Sequence, residues 1–283
     1  MINREDHTFI GCDGQYADSR IVLFGAPFDS TASFRPGARF ASAAIRNDSN
    51  QIETYSPYWD RDLSEIEVYD SGDLELPFGN TERTLKMIEE YTDYLLSDNK
   101  TPFMIGGEHL VTLGAVRAAV KGYSHLHILH FDAHTDMRDK YLGEKLSHAT
   151  VIRRCHELVG DGRIFSFGIR SGDREEFRWA KNRIDIRRFN FDGLEMTCEY
   201  IGQNPLYLTI DLDVLDPGVF PGTGTPEAGG VSFKELMGAI KTIRDLKMNI
   251  IGLDINELCP PYDQSGISAA LACKVVRELL LIV

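Results

Sequence analysis

Residues Leu126 to Asp136 read LHILHFDAHTD: a short, largely apolar run from Leu126 to Phe131, followed at once by Asp132-Ala133-His134-Thr135-Asp136. In extended backbone alternate side chains point the same way, so Asp132, His134 and Asp136 converge on one spot able to hold a divalent metal. The same unit recurs along the chain. Leu206 to Ile210 runs into Asp211-Leu212-Asp213, Pro102 to Ile105 into Gly106-Gly107-Glu108-His109, and Ile250 to Asp254 ends just ahead of Glu257. Arg20 to Gly25, Glu67 to Tyr69 and Ile164 to Phe167 are further strand candidates, with Ile184 to Arg188 an eighth.

Between these runs lie segments whose apolar residues recur at three- and four-residue steps, the helical period. They are Ala38 to Arg46, Glu82 to Leu96, His109 to Val120, His148 to Leu158, Arg174 to Asn182, Phe233 to Leu246 and Ile267 to Leu281. Ser232 stands ahead of one as an N-cap with Glu235 at the third position, a capping-box pattern. Strands alternating with helices predict an α/β fold whose sheet is mostly parallel. In such sheets ligands bind outside the carboxyl ends of the strands, where every polar cluster above falls.

The chain has 283 residues, 43% of them hydrophobic, and no linker, repeat or low-complexity tract, so it reads as a single domain over 1–283. Its 43 acidic against 30 basic residues give a formal charge of -13, which argues against nucleic acid or an anionic membrane surface as partner and favours cationic ligands. Met1 to Gln15 is polar and lacks an apolar signal core, and no run approaches the roughly 18 apolar residues of a membrane span, so a soluble cytoplasmic protein is expected. Five cysteines, widely spaced and without a Cys-x-x-Cys pair, read as ordinary thiols.

His109, Asp132, His134, Asp136, Asp211 and Asp213 together offer two imidazoles and four carboxylates. Carboxylate-rich sites without thiolate favour Mn²⁺, with Co²⁺, Fe²⁺, Ni²⁺ and Zn²⁺ as competitors. Two metals roughly 3.5 to 4 Å apart lower the pKa of a shared water, which is hydrolytic equipment. Taken alone, an Asp-x-Asp after a strand more often caps a turn. Joint occurrence at several strand ends favours metal. His130 reads as a hydrogen-bonded core histidine, with a supporting bond to a metal ligand as the alternative. The Gly- and Pro-rich tract Asp211 to Gly230 is either a rigid substrate wall or a plain connection.

These residues together resemble the ureohydrolase family, the arginases and agmatinases, from about Arg20 to the C-terminus. GGEH ending at His109, FDAHTD from Phe131 to Asp136, and the tract from Thr209 to Gly230 with DLDVLDP and PGTGTP carry the resemblance. SFRPGARF at Ser33 to Phe40, LSHAT at Leu146 to Thr150, SFGIRSG at Ser166 to Gly172 and PPYDQS at Pro260 to Ser265 are similar to bacterial agmatinase sequence in particular. The resemblance implies a three-layer α/β/α sandwich with an eight-stranded sheet and two Mn²⁺ per subunit. One ion would take His109, Asp132, Asp136 and Asp211, the other His134, Asp132, Asp211 and Asp213, with a hydroxide bridging them and bonded to Asp136. Glu257 matches the family carboxylate that clasps the guanidinium, His148 a proton-shuttling histidine, and Thr225 a threonine of the substrate wall. Read without the metal clusters, Glu257 is an ordinary loop charge and His148 a residue at a helix start.

Substrate identity turns on the loop after Asp136. Arginases carry Asn and Ser there for the amino-acid end of arginine, whereas this chain reads Met137-Arg138-Asp139-Lys140-Tyr141-Leu142-Gly143-Glu144-Lys145. Agmatine, hydrolysed to putrescine and urea, is therefore the expected substrate. Arg138 and Lys140 pull toward a carboxylate-ended guanidine such as guanidinobutyrate, and Glu227 and Gly266 depart from relatives at positions within expected reach of the substrate tail. A homo-oligomer, trimer or hexamer, follows by family analogy. A non-enzymatic relative would typically have lost a ligand or the clasping acid, and a one-metal deacetylase of related fold would leave His109 without a role.

Overall fold

The structure, a computed structural model, describes residues 7–283. The first six residues of the polar N-terminal stretch, and of the domain read over 1–283, lie outside the described residues. Eight strands form the central sheet: β1 (Ile21–Gly25), β4 (Val68–Asp73), β5 (Thr101–Ile105), β6 (His127–Phe131), β7 (Ile164–Ile169), β8 (Asp185–Arg188), β9 (Leu206–Asp211) and β10 (Ile250–Asn256). Their order is β4-β1-β5-β10-β9-β6-β7-β8, and every pairing in the sheet is parallel. A two-stranded antiparallel hairpin, β2 (Tyr55–Ser56) with β3 (Arg61–Asp62), stands apart from it and was not expected from the sequence.

The inner strands are buried on both faces, which is why they read as near-continuous apolar runs. Alternate side chains then feed two separate cores. Ile21 and Leu23 of β1, Leu129 and Phe131 of β6, and Leu206, Leu208 and Ile210 of β9 enter one core, shared with α1 (Ala41–Ser49), α6 (Leu194–Ile201), α7 (Phe233–Asp245) and α8 (Ile267–Leu280). Val22, Phe24, Ile128 and Tyr207 enter the other, under α2 (Thr81–Ser97), α3 (Thr112–Gly122) and α4 (Val151–Val159), with Ala180 of α5 (Arg174–Ala180) at its edge. The result is the expected three-layer α/β/α sandwich around an eight-stranded sheet.

Local chemistry sets the helix starts. Ser232 caps α7 by accepting from the Glu235 amide while the Glu235 side chain returns to Ser232, the capping box expected there. Three predicted helices begin later than their sequence period suggests: Ala38–Phe40, His109–Val111 and His148–Thr150 are 3₁₀ turns that precede α1, α3 and α4. α5 also stops at Ala180, short of Asn182, whose backbone is left-handed at φ 67°.

A candidate metal centre at four adjacent strand ends

The four central strands β5, β10, β9 and β6 are neighbours, and each delivers part of the site at its carboxyl end. His109 follows β5, Glu257 follows β10, Asp211 ends β9 with Asp213 just beyond it, and Asp132 to Asp136 follow β6. Close approach of the β5 end to β10 on one side, and to the segment after β1 on the other, depends on glycine. A Cβ on Gly106 would meet Asn256 Oδ1 at 1.8 Å, and one on Gly107 would meet the Phe28 carbonyl at 2.0 Å. Both Asp136 and Glu257 hold left-handed backbone, at φ 51° and 66°, which aims two carboxylates back over the sheet edge.

His109 Nδ1 lies 3.0 Å from Asp132 Oδ2, 3.1 Å from Asp136 Oδ2 and 3.5 Å from Asp211 Oδ2. It is buried, yet none of these oxygens is aligned to pair with it as a hydrogen bond. A nitrogen so placed among three carboxylates holds a proton or a metal ion. The second cluster is Asp132, His134 and Asp213, with His134 Nδ1 2.9 Å from Asp213 Oδ2 and 3.6 Å from Asp132 Oδ1. Asp132 therefore faces the two clusters with different oxygens, as a bridging ligand would. Asp211 reaches the His109 side with Oδ2, while its Oδ1 accepts the Asp213 amide at 2.9 Å.

Buried hydrogen bonds orient the ligands from behind. Thr209 Oγ donates to Asp254 Oδ1 at 2.6 Å, so it accepts from His109 Nε2–H at 2.9 Å and leaves Nδ1 toward the carboxylates. Asp254 is held in turn by the Tyr207 hydroxyl at 2.7 Å and by the Asn256 amide at 2.6 Å. His130 is the buried, hydrogen-bonded histidine expected, at 2.9 Å from Ser166 Oγ, and it also lies 2.8 Å from Asp132 Oδ2. Neither Thr209 nor Asp254 stood out in the sequence, although each lies on a strand that ends in a site residue.

Electrostatics follow from crowding. Burial, then the charge of Asp132, pushes Asp136 up to about 7. Burial raises Asp211 well above the usual carboxylate range, helped by Asp213 and Asp132. Burial also raises Glu257 to about 8, against the lowering effect of the His109 amide. Asp132 goes the other way: burial opposes ionisation, but the adjacent imidazoles of His109, His130 and His134 hold it well below its ordinary value. Without a cation the cluster collects protons instead, and a divalent ion would displace them. The donor set thus fits a metal.

Above the cluster opens a cleft of about 300 Å³, lined by His134, Asp136, Asp211, Thr225, Glu257 and His148, with Ser33, Arg138, Tyr141 and Asp173 nearer its mouth. Glu257 Oε1 accepts the His109 amide at 2.8 Å, which fixes the carboxylate beside the cluster. Thr225 Oγ donates to Asp213 Oδ2 at 3.3 Å. His148 sits with Nε2 3.2 Å from Ser33 Oγ and its amide on Thr31 Oγ at 3.0 Å, and burial pushes its pKa down to about 4. Thr31 is itself anchored to the buried Glu108 at 2.6 and 2.8 Å. Neither Glu227 nor Gly266, placed by sequence within reach of a substrate tail, lines this cleft, and Lys140 does not either.

The Asp211 to Gly230 tract is a built wall. Arg170 donates to the carbonyls of Gly168, Asp213, Val214, Leu215 and Glu227, and Asp216 accepts the amides of Gly218, Gly229 and Gly230. Backbone groups of this loop are thereby satisfied by side chains, outside the main sheet.

Comparison with known proteins agrees with this geometry. An agmatinase from Bacillus cereus is 48% identical over 276 residues, covering 96% of this chain and 95% of that protein. The crystal structure of a proposed agmatinase from Clostridium difficile superposes with a TM-score of 0.93 at 49% identity, covering 95% of this chain and 98% of that one. The agmatine ureohydrolase of Thermoplasma volcanium gives 0.89 at 32% identity, covering 98% and 94%. The model of the arginase family matches residues 19–282, and with the strand-end cluster in place the chain belongs to the arginase family.

Proposed function

We propose that this chain is an agmatinase, a hydrolase of the C–N bond in a linear amidine, converting agmatine to putrescine and urea with two Mn²⁺ ions. The observation that carries the reading is the position of Glu257, a buried carboxylate pinned beside the His109 and Asp132 cluster at the floor of a cleft. The identity of about half the residues with a Bacillus cereus agmatinase across nearly the whole chain supports agmatine over other guanidines.

His109, Asp132, Asp136 and Asp211 would hold one ion, and His134, Asp132, Asp211 and Asp213 the other. Bound manganese supplies Lewis acidity, which makes water a nucleophile at neutral pH. The chain's own groups do the rest. A guanidinium is a resonance-stabilised cation, and a carboxylate that takes two of its N–H groups fixes its plane over the cluster, the role of Glu257. Thr225 lines the wall beside it. Attack on the central carbon gives a tetrahedral species whose departing amine must gain a proton. Asp136, beside His109 in the cluster, would pass to that amine the proton that the attacking water gives up, and His148 would relay proton exchange with solvent.

Among the described residues no helix is long and apolar enough to cross a membrane. A cytoplasmic homo-oligomer, trimer or hexamer, acting on a small cationic guanidine and not on nucleic acid completes the proposal. The test is urea release by manganese-loaded protein from agmatine, arginine and 4-guanidinobutyrate. Agmatine should lead in kcat/KM. A tenfold advantage for guanidinobutyrate would overturn the substrate assignment and leave the family intact.

A further inference from the structure

Arg138 stands in the loop where this chain parts from the arginases, and it lines the cleft mouth with the charge a carboxylate-ended substrate needs. In the fold that charge is already engaged. Arg138 Nη1 lies 3.2 Å from Asp173 Oδ2 and Nε 3.5 Å from Glu176 Oε2. Its guanidinium packs over the Tyr141 ring at 5.1 Å, and Tyr141 stands edge-on to His148 at 5.7 Å. The partners are immobile for reasons of their own. Asp173 caps α5, giving Oδ1 to the amides of Glu175 and Glu176 and keeping Oδ2 for Arg138. Glu176 is buried and accepts Thr135 Oγ at 2.6 Å and the Met137 amide at 3.0 Å. The Arg138 amide is fixed on the Ala149 carbonyl at 3.1 Å.

We propose that Asp173 neutralises Arg138, and that the pair selects against guanidines whose tail ends in a carboxylate. This rests on the guanidine hydrolysis proposed above. A carboxylate brought to Arg138 meets two carboxylates already within ion-pair distance of the same guanidinium, and must displace one or suffer the repulsion of both. A cationic tail meets no net positive charge there. Lys140 and Lys145, the other cations of the loop, do not line the cleft to compensate. The Arg138 and Asp173 side chains are 37% and 43% exposed, so solvent screens the pair and the discrimination it supplies is about tenfold rather than several hundredfold.

Asp173→Asn tests this in the full chain, because asparagine keeps the helix cap through its side-chain oxygen while removing the charge. In the manganese-loaded enzyme the ratio of kcat/KM for 4-guanidinobutyrate over agmatine should rise about tenfold, through a lower KM for guanidinobutyrate. Adding Arg138→Gln should abolish the rise. Calorimetry of 4-guanidinobutyrate binding reads the same pair without turnover: about tenfold tighter in Asp173→Asn and back to the wild-type value in the double variant. A ratio and an affinity that both move less than twofold, or a gain that survives Arg138→Gln, would overturn the proposal. Should no guanidine be turned over at all, the proposed function fails, and the binding measurement still decides the role of the pair.

Discussion

Glu257→Gln separates two jobs that one side chain performs. Glu257 accepts the His109 amide through Oε1 at 2.8 Å, and in the proposed reaction it also faces the substrate guanidinium. Glutamine keeps the first job, since its carbonyl oxygen accepts the same N–H and its backbone tolerates the same left-handed φ of 66° about as well. It loses the second, replacing a charge-assisted pair by one neutral acceptor and one misplaced donor. Charged hydrogen bonds contribute about 1.5–3 kcal/mol each and neutral ones about half that, so the loss is about 3–4 kcal/mol, or 10²–10³ in kcat/KM on agmatine. Manganese content and thermal midpoint should stay near wild type. Glu257→Ala removes both jobs and leaves a buried N–H without an acceptor, costing about 1–3 kcal/mol of stability in addition. The assays are steady-state urea release, metal analysis after reconstitution, and thermal melts. Turnover of Glu257→Gln within about threefold of wild type would refute the clasp, because a carboxyl pushed up to about 8 that stayed protonated during the reaction would be mimicked by glutamine.

The crowded carboxylates also give the metal-free chain a distinctive pH dependence. Asp136 and Glu257 rise to about 7 and about 8 from ordinary values of 3.8 and 4.5, so above those ordinary values the folded state binds more protons than the unfolded one and stability falls as pH rises. His148, pushed down to about 4, opposes this only below its ordinary value of 6.5, so the window from 6.5 to 8 is the clean one. Over it, the thermal midpoint with chelator should drop, and saturating Mn²⁺ should remove the slope; a metal-free midpoint that climbs with pH would contradict the crowding. His148→Ala should slow agmatine turnover by about tenfold or more with full metal content. Metal loss in that variant would make His148 structural.

Much of the fold was legible because its strands are short, apolar and closed by polar clusters, so LHILHF followed by DAHTD marks both a strand and its functional end. The elements that escaped are those held by tertiary contacts. α6 spans only Leu194–Ile201 and contains Thr197, Cys198 and Tyr200, poor helix formers; burial of Leu194, Cys198 and Ile201 against the core keeps it helical. The 3–4 spacing of Leu194, Thr197 and Ile201 between Gly193 and Gly202 was the available signal. The hairpin of β2 and β3 has two-residue strands, too short for any period to show. In the site, ligand types and their spacing were readable, whereas Arg170, Thr209 and Asp254 were not. Their contributions lie in hydrogen bonds to groups 40 or more residues away, such as the 43 between Arg170 and Asp213, and no local pattern announces such bonds.

The collection of the site from four adjacent strand ends has a consequence for how the molecule is made. His109 and Glu257 are joined by a hydrogen bond across 148 residues, so no fragment ending before β10 contains the pocket floor. During synthesis β5, β6 and β9 emerge first, and β10 must then insert between β5 and β9, already made, before the His109 amide finds its acceptor. Pairing over such separations is slow and comes late in folding. In the proposed enzyme a tightly bound metal would therefore serve as a certificate of assembly: a chain that retained it through dialysis would have threaded its last strand, and one that had not would remain a carboxylate-rich, proton-loaded intermediate without Glu257 in place.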